Sequence, residues 1–203
     1  MRGANEEVRR SPGSSFFIRA SNLEPLVVAA AALLTKFLYF HFTVPDYLFP
    51  DSFTYLAPAR TLLAGLGFVG ATGLAETLRT PGYPLFLAAF GTHVMAVIIA
   101  QHLINVAIAV AVYLTAGRRL GRFAGITAAL LIAIDTPTIH YANKILSETL
   151  FTAVLLVVFV LVVARSLLPV AGLLTGALVL IRPVAIAYFV VIEIGRASCR
   201  ERV

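Results

Sequence analysis

The sequence predicts an all-α membrane protein: a polytopic transmembrane helix bundle whose outer-face loop carries short helices beside the membrane. Three observations predict this fold. The 203-residue chain is 60% hydrophobic and 13% charged, with a mean hydropathy of +0.92, whereas soluble domains carry about 25% charged residues. Several apolar runs are long enough to cross a bilayer. The basic residues stand at the ends of these runs, where the positive-inside rule places them.

This distribution of charge excludes nucleic acid as the expected partner. The net charge of +6 and pI of 9.9 are not gathered on one polar face. We interpret residues 194–203 as a non-native tail, because they break sharply from the apolar run before them and resemble a translated sequencing adapter. Residues 23–193 then form the truncated transmembrane domain of a longer protein. The single cysteine, Cys199, lies in that tail.

The first elements are a polar N-terminus and one span. Residues 1–22 are predicted to be disordered and cytoplasmic. The apolar run 25–44 is about 20 residues, enough to cross a ~30 Å core, and it lacks a small-residue cleavage site. We therefore predict a retained span whose N-terminus is cytoplasmic. Lys36, toward its far end, is expected to snorkel to the interface.

A polar interval, residues 44–84, follows the first span. Residues 52–64 predict a short surface helix that ends near Gly65. Pro58 kinks this helix or marks its true start. Residues 67–77 have no convincing period and predict a loop.

The remaining apolar runs alternate across the membrane. Residues 84–90 predict a tilted or re-entrant helix and 94–116 a second span, because the basic loop 117–122 is cytoplasmic. The third span is predicted at 123–139, the fourth at 146–164 and the fifth from 167 outward, before a sixth begins near residue 184. Gly172 and Gly176 have the spacing of a close helix contact.

This topology places five charged residues from separate segments on one outer face: Asp51, Arg79, Lys144, Glu148 and Arg182. A single outward-facing polar site is the simplest account of them.

Each candidate has a functional and a structural interpretation. A carboxylate at the apolar boundary suits Asp51 to act as a base for a hydroxyl, or Asp51 caps the helix that starts at residue 52; Asp46 is a weaker competitor. Arg79 either binds a phosphate through its planar fork or snorkels. Arg182 lies in an apolar run, where a charge is costly unless it is paired or lines a cavity. Glu148 either caps a helix or belongs to the site.

Known cofactor motifs do not fit. No His and Cys cluster has the spacing of a zinc site, and no Gly-rich phosphate loop or nucleophile elbow occurs. We therefore assign no cofactor. A hard divalent ion held by two or three carboxylates stays open.

Several segments together carry a likeness to a known family: residues 51–57 (DSFTYLA), 62–68 (LLAGLGF), 79–87 (RTPGYPLFL), 145–151 (ILSETLF) and 180–183 (LIRP). With residues 101–125, the chain resembles bacterial membrane glycosyltransferases of the C-type (GT-C) superfamily. Within that superfamily it is similar to the dolichyl-phosphate-mannose-protein mannosyltransferase-like group. The likeness covers nearly all of residues 23–190.

The resemblance implies sugar transfer from a polyprenyl-phosphate-linked donor to an acceptor hydroxyl on a glycan, lipid or protein. It places the reaction on the periplasmic or luminal side of the bacterial cytoplasmic (inner) membrane. Asp51 matches the catalytic acid of the first outer loop, Arg79 the basic residue proposed to meet the lipid phosphate, and Glu148 a recurrent acid of the second outer loop. Substrate binding is expected from Arg79, Tyr83, Lys144, Glu148 and Arg182. Family members are longer, so this fragment alone is expected to be inactive.

Two alternatives remain. A transporter or flippase of a lipid-linked sugar would line a pathway with the same charges, and a structural subunit of an envelope complex would need none of this chemistry.

Overall fold

The computed structural model describes residues 23–43 and 46–188, and every regular element in these ranges is helical. An isolated bridge between Val69 and Ala75 is the one strand-like pairing there. The elements are α1 (Glu24–Phe42), α2 (Pro50–Leu63), α3 (Gly82–Ala89), α4 (Val94–Leu120), α5 (Arg122–Ile134), α6 (Thr136–Ala142), α7 (Glu148–Val163), α8 (Leu168–Ile181) and a 3₁₀ turn, Pro183–Ala185. The all-α prediction is confirmed for this part of the chain. The predicted disordered segment 1–22 and foreign tail 194–203 lie outside it.

Two helices are long and apolar enough to cross a membrane unaided. These are α1, with 19 residues, and α4, with 27, and they correspond to the first two predicted spans. The prediction of a basic loop at residues 117–122 is wrong, because Arg118 and Arg119 form the last turn of helix α4. Gly121 alone separates α4 from α5, at φ +97°, a conformation that a residue with a Cβ rarely adopts.

The third predicted span is not one continuous helix. α5 and α6 meet at Asp135 with a bend of 53°. The Asp135 carboxylate accepts a 3.0 Å hydrogen bond from the Thr138 N–H, and Pro137 stands in the first turn of α6. An N-cap aspartate followed by proline starts a new helix, so the chain turns here.

The last two helices are apolar but short. α7 has 16 residues and α8 has 14, whereas a helix needs about 20 to cross a ~30 Å core. Among the described helices, length and composition therefore give two candidate spans, or three when the bent pair counts as one. The two candidate spans, α1 and α4, associate the chain with a membrane.

α4 runs through the middle of the bundle and packs against α1, α5, α6 and α7. Its closest approach is to α5, where a Cβ on Gly125 would lie 2.8 Å from the Gly117 Cα. The predicted close packing at Gly172 and Gly176 is wrong for the described part of the chain, since a Cβ at either position meets no atom there within 4 Å.

The prediction for Lys36 is also wrong. Its side chain does not snorkel, because Lys36 lies on the face of α1 that carries Val28 and Ala32, at four-residue spacing, and this face is buried. Lys36 is 3% exposed, and its Nζ has no hydrogen-bond partner among the described atoms. The packing of α1 on α4 therefore decides its position.

The two ends of the bundle differ in character. At the end where α4 meets α5, Glu24 forms a 2.8 Å ion pair with Arg122. It also accepts a hydrogen bond from the Tyr113 hydroxyl. Arg119 donates to the Val163 carbonyl at 3.0 Å at the same end. The opposite end carries α2, α3 and the loop between them.

α2 and α3 are built on a small apolar core. Tyr55 and Leu56 of α2 pack with Tyr83 and Leu87 of α3 on buried residues of α4 and of the segment before α7. α2 ends as predicted near Gly65, at φ +73°. It starts at Pro50 rather than residue 52, and it continues through Pro58. Residues 67–77 form the predicted loop.

Candidate functional site

Arg79 is the centre of the site. Its Nη2 lies 2.9 Å from Asp51 Oδ1, its Nε donates to Thr54 Oγ1 at 2.8 Å, and its Nη1 donates to the Tyr55 hydroxyl at 3.2 Å. The guanidinium also lies over the Tyr55 ring, 4.5 Å from the centroid. One arginine thus collects three oxygen partners from consecutive turns of α2.

The sequence places those partners on one face of α2. Residues 51, 54 and 55 stand at i, i+3 and i+4, the spacing that brings side chains together on a helix. Phe49 is the N-cap residue of α2, and Ser52, in the first turn, accepts a 2.9 Å hydrogen bond from the Phe49 N–H and donates to the Ile145 carbonyl at 2.9 Å. Asp51 therefore does not cap this helix: it lies in the first turn and pairs with Arg79 instead. Its side chain is 54% exposed.

A second arginine–carboxylate pair lies beside the first. Arg182, the residue after α8, places Nη1 3.0 Å from Oε1 of Glu148, the first residue of α7. Its guanidinium lies 5.9 Å from the Phe151 ring centroid. The other carboxylate oxygen, Glu148 Oε2, is buried and has no hydrogen-bond partner among the described atoms. Ser147 occupies the cap position of α7 but makes no side-chain cap.

The two arginines line one open pocket of ≈ 190 Å³. The pocket lies between the turn before α3 and the chain after α8, and its lining residues are Tyr55, Leu78, Arg79, Thr80, Ile181, Arg182, Pro183 and Val184. The pocket therefore combines two arginines, each paired with a carboxylate, with apolar neighbours, of which Leu78 and Val184 are exposed.

Two contacts join the pocket's walls. Thr80 Oγ1 donates to the Ile181 carbonyl at 3.1 Å. At Gly82, a Cβ would lie 2.6 Å from the Leu180 carbonyl oxygen, closer than real Cβ atoms approach. Glycine at residue 82 therefore lets the start of α3 touch the backbone at the end of α8.

Tyr83 packs against Tyr55 in the core beside the site. It is fully buried, meets Tyr55 edge to face with ring centroids 5.0 Å apart, and donates its hydroxyl to Gln101 Oε1 at 2.8 Å. Burial, with the nearby Tyr55 and Glu148, raises the pKa of the Tyr83 hydroxyl. The phenol therefore stays protonated and remains a donor. It does not line the pocket.

Gln101 fixes the segment that leads into α7. Its side-chain nitrogen donates to the Ala142 carbonyl at 3.0 Å and to the Lys144 carbonyl at 2.7 Å. One buried amide thus joins α3, α4 and the chain before Glu148. Tyr55 and Ser147 oxygens, 3.3 Å apart, add a second link between α2 and this segment.

Lys144 is not brought to the pocket. Its side chain is 6% exposed and its Nζ lies 2.8 Å from Asp46 Oδ2, with the Phe49 ring 5.4 Å away. Asp46, the weaker candidate base, thus forms an ion pair with Lys144. Of the predicted site residues, the structure brings together Asp51 with Arg79 and Glu148 with Arg182.

Sequence reasoning did not single out Thr54, Tyr55 or Gln101. The first two share a helix face with Asp51, and this spacing could have found them. Gln101 and Asn105 are amides one helical turn apart in a long apolar run, and amides in such a run predict buried hydrogen-bonding roles. Among residues 23–43 and 46–188, no three or more His, Cys, Asp or Glu side chains converge in a way that could hold a metal ion.

Comparison with family models, curated proteins and solved structures found no match. The chemistry of the pocket itself is therefore the basis for a functional proposal.

Proposed function

We propose that this protein is a polytopic membrane glycosyltransferase that transfers a sugar from a polyprenyl-phosphate donor to an acceptor hydroxyl. The observation that carries the proposal is a pocket lined by both Arg79 and Arg182, with the Asp51 carboxylate 2.9 Å from Arg79. A paired cation site beside a carboxylate base is the arrangement that this reaction needs.

The pocket suits an isoprenoid phosphate in two respects. Its arginines offer planar forks, which form charge-assisted hydrogen bonds with phosphate oxygens. Its exposed apolar residues, Leu78 and Val184, adjoin those cations and are suited to contact the first units of the lipid chain. A soluble anion would bind the arginines but would make no apolar contact with Leu78 and Val184.

The reaction follows from these groups. The acceptor oxygen attacks the anomeric carbon of the donor, and the bond between that carbon and the phosphate oxygen breaks with its electron pair. Asp51 takes the proton of the acceptor hydroxyl, while Arg79 and Arg182 stabilise the second negative charge that develops on the leaving phosphate. One displacement of this kind inverts the anomeric configuration.

The distribution of charge supports a place for the pocket on the outer side of the cytoplasmic membrane. Arg118, Arg119 and Arg122 lie at the opposite end of α4 from the α2–α3 end, and the positive-inside rule assigns such a basic cluster to the cytoplasm. The N-terminus is then cytoplasmic, and the short apolar helices α7 and α8 complete a polytopic bundle.

A specific observation also favours the second candidate, a transporter or flippase of a lipid-linked sugar. Discontinuous helices with buried charges are typical of transporter sites. The bend of 53° at Asp135 and the buried Lys36 on neighbouring α1 give this chain such a feature, away from the two-arginine pocket.

One experiment separates the two functions. Membranes that contain the full-length gene product receive a polyprenyl-phosphate donor with a radiolabelled sugar, and a parallel vesicle assay measures movement of the same donor between leaflets. The proposal predicts label covalently attached to an acceptor, with unlabelled polyprenyl phosphate released. Movement of intact donor without bond transfer would overturn it in favour of the transporter.

A further inference from the structure

The Arg79–Asp51 pair raises a question that the proposed roles leave open. Arg79 is expected to bind the phosphate and Asp51 to act as the base, yet the two side chains hold each other at 2.9 Å. Arg79 holds one oxygen of the Asp51 carboxylate, Oδ1, and a phosphate that approaches the same guanidinium brings a competing negative charge. The two proposed roles therefore compete while this contact remains.

Asp51 is the partner of Arg79 that can leave. Tyr55 is buried in the core that α2 forms with α3, and Thr54 lies half-buried beside it. The Asp51 side chain is 54% exposed and its partner Arg79 is 21% exposed. Exposed ion pairs stabilise a fold only weakly, because solvent screens the charges. A phosphate therefore replaces Asp51 more readily than it replaces the two hydroxyls.

The second pair is held more firmly. Glu148 and Arg182 are less exposed than Asp51, and Glu148 Oε2 is buried within the protein. Displacing Glu148 would leave a partly buried carboxylate, whose Oε2 is enclosed by protein, without its cation, which is more costly than exposing Asp51. Arg182 thus keeps its carboxylate when an anion enters, and the change is confined to Asp51.

We propose that a phosphate entering the pocket displaces Asp51 from Arg79, so that the base is released only when the donor is bound. This inference rests on the proposed function. It gives the reaction an order, because an acceptor or water molecule meets an unoccupied base only after the donor phosphate has arrived. The competition is reciprocal, so removing the Asp51 carboxylate must tighten phosphate binding.

The test measures binding rather than turnover. The purified 203-residue chain in detergent is titrated with farnesyl phosphate, with farnesol as the uncharged analogue and inorganic phosphate as the anion without a chain. Asp51→Asn is compared with Asp46→Asn, which removes the same charge from a pair outside the pocket and so controls for the general gain in positive charge. Asp51→Ser provides a second variant if Asp51→Asn does not fold.

The expected result is that Asp51→Asn binds farnesyl phosphate about 1.5- to 5-fold more tightly than wild type, the range that corresponds to an exposed ion pair. Asp46→Asn should leave affinity unchanged, and no variant should alter farnesol binding. Equal or weaker affinity of Asp51→Asn would overturn the displacement while leaving the phosphate site intact. Failure of wild type to bind, or binding unaffected by Arg79→Gln, would overturn the phosphate site itself and the displacement with it.

Discussion

Gly82→Ala tests whether the contact between α3 and α8 assembles the pocket. The added Cβ would lie 2.6 Å from the Leu180 oxygen and 2.9 Å from the Ile181 nitrogen, whereas ordinary contact begins at 3.4 Å. These are backbone atoms, so no flexible side chain can move aside. Overpacking of this kind costs about 1–3 kcal/mol, and it pushes Arg79 away from Arg182.

The assay has two readouts. Because the sequence has no tryptophan, unfolding of the detergent-solubilised protein is followed by circular dichroism, and farnesyl phosphate affinity is measured in parallel. We expect the free energy of unfolding to fall by about 1–3 kcal/mol. Affinity should fall about tenfold, the factor that corresponds to about 1.4 kcal/mol.

Two matched substitutions isolate the pocket. Gly125→Ala creates an equal clash between α4 and α5, with Gly117 atoms at 2.8 Å, so it should lower stability without changing affinity. Gly176→Ala meets no described atom within 4 Å and should stabilise α8 by about 0.5–1 kcal/mol. If Gly82→Ala bound farnesyl phosphate as tightly as wild type, the contact would not be what aligns the two arginines.

Three further experiments test separate parts of the structure. Gln101→Leu should lower the free energy of unfolding by about 2 kcal/mol in a denaturant titration, because the buried Tyr83 hydroxyl loses its acceptor and the Ala142 carbonyl loses its side-chain donor; a neutral result would contradict the network. A double-mutant cycle of Arg182→Gln and Glu148→Gln should give a coupling energy of about 1–2 kcal/mol, which lies between the values typical of exposed and of buried ion pairs. A coupling energy of zero would argue against the pair. Lys36→Met should raise the thermal unfolding temperature by removing a buried amino group that has no hydrogen-bond partner among the described atoms, whereas a lower temperature would indicate a stabilising partner.

Local patterns predicted the helical class and the elements nearest the site. Hydropathy located α1 and α4, and the preference of glycine for positive φ located the end of α2 near Gly65. The same patterns missed the break at Asp135 and the short lengths of α7 and α8, because hydropathy marks apolar composition rather than hydrogen-bonded ends.

Pairings across the chain were beyond sequence reasoning. The contact of Thr80 with Ile181 joins residues 101 positions apart, and nothing local specifies it. Residue type alone predicted that Lys36 snorkels, and it left open whether Asp51 caps α2 or acts as a base. Tertiary packing buried the first, and the approach of Arg79 gave the second a different partner.

Sugar transfer by the Asp51 variant is the most direct test of the central claim. Membranes with the full-length gene product, wild type, Asp51→Asn or Asp46→Asn, receive the labelled polyprenyl-phosphate donor, and the rate and anomeric configuration of the product are measured. The account predicts an inverted product and a rate about 10²–10⁴ lower in Asp51→Asn, with Asp46→Asn at the wild-type rate. Full transfer by Asp51→Asn, or a product of retained configuration, would contradict it.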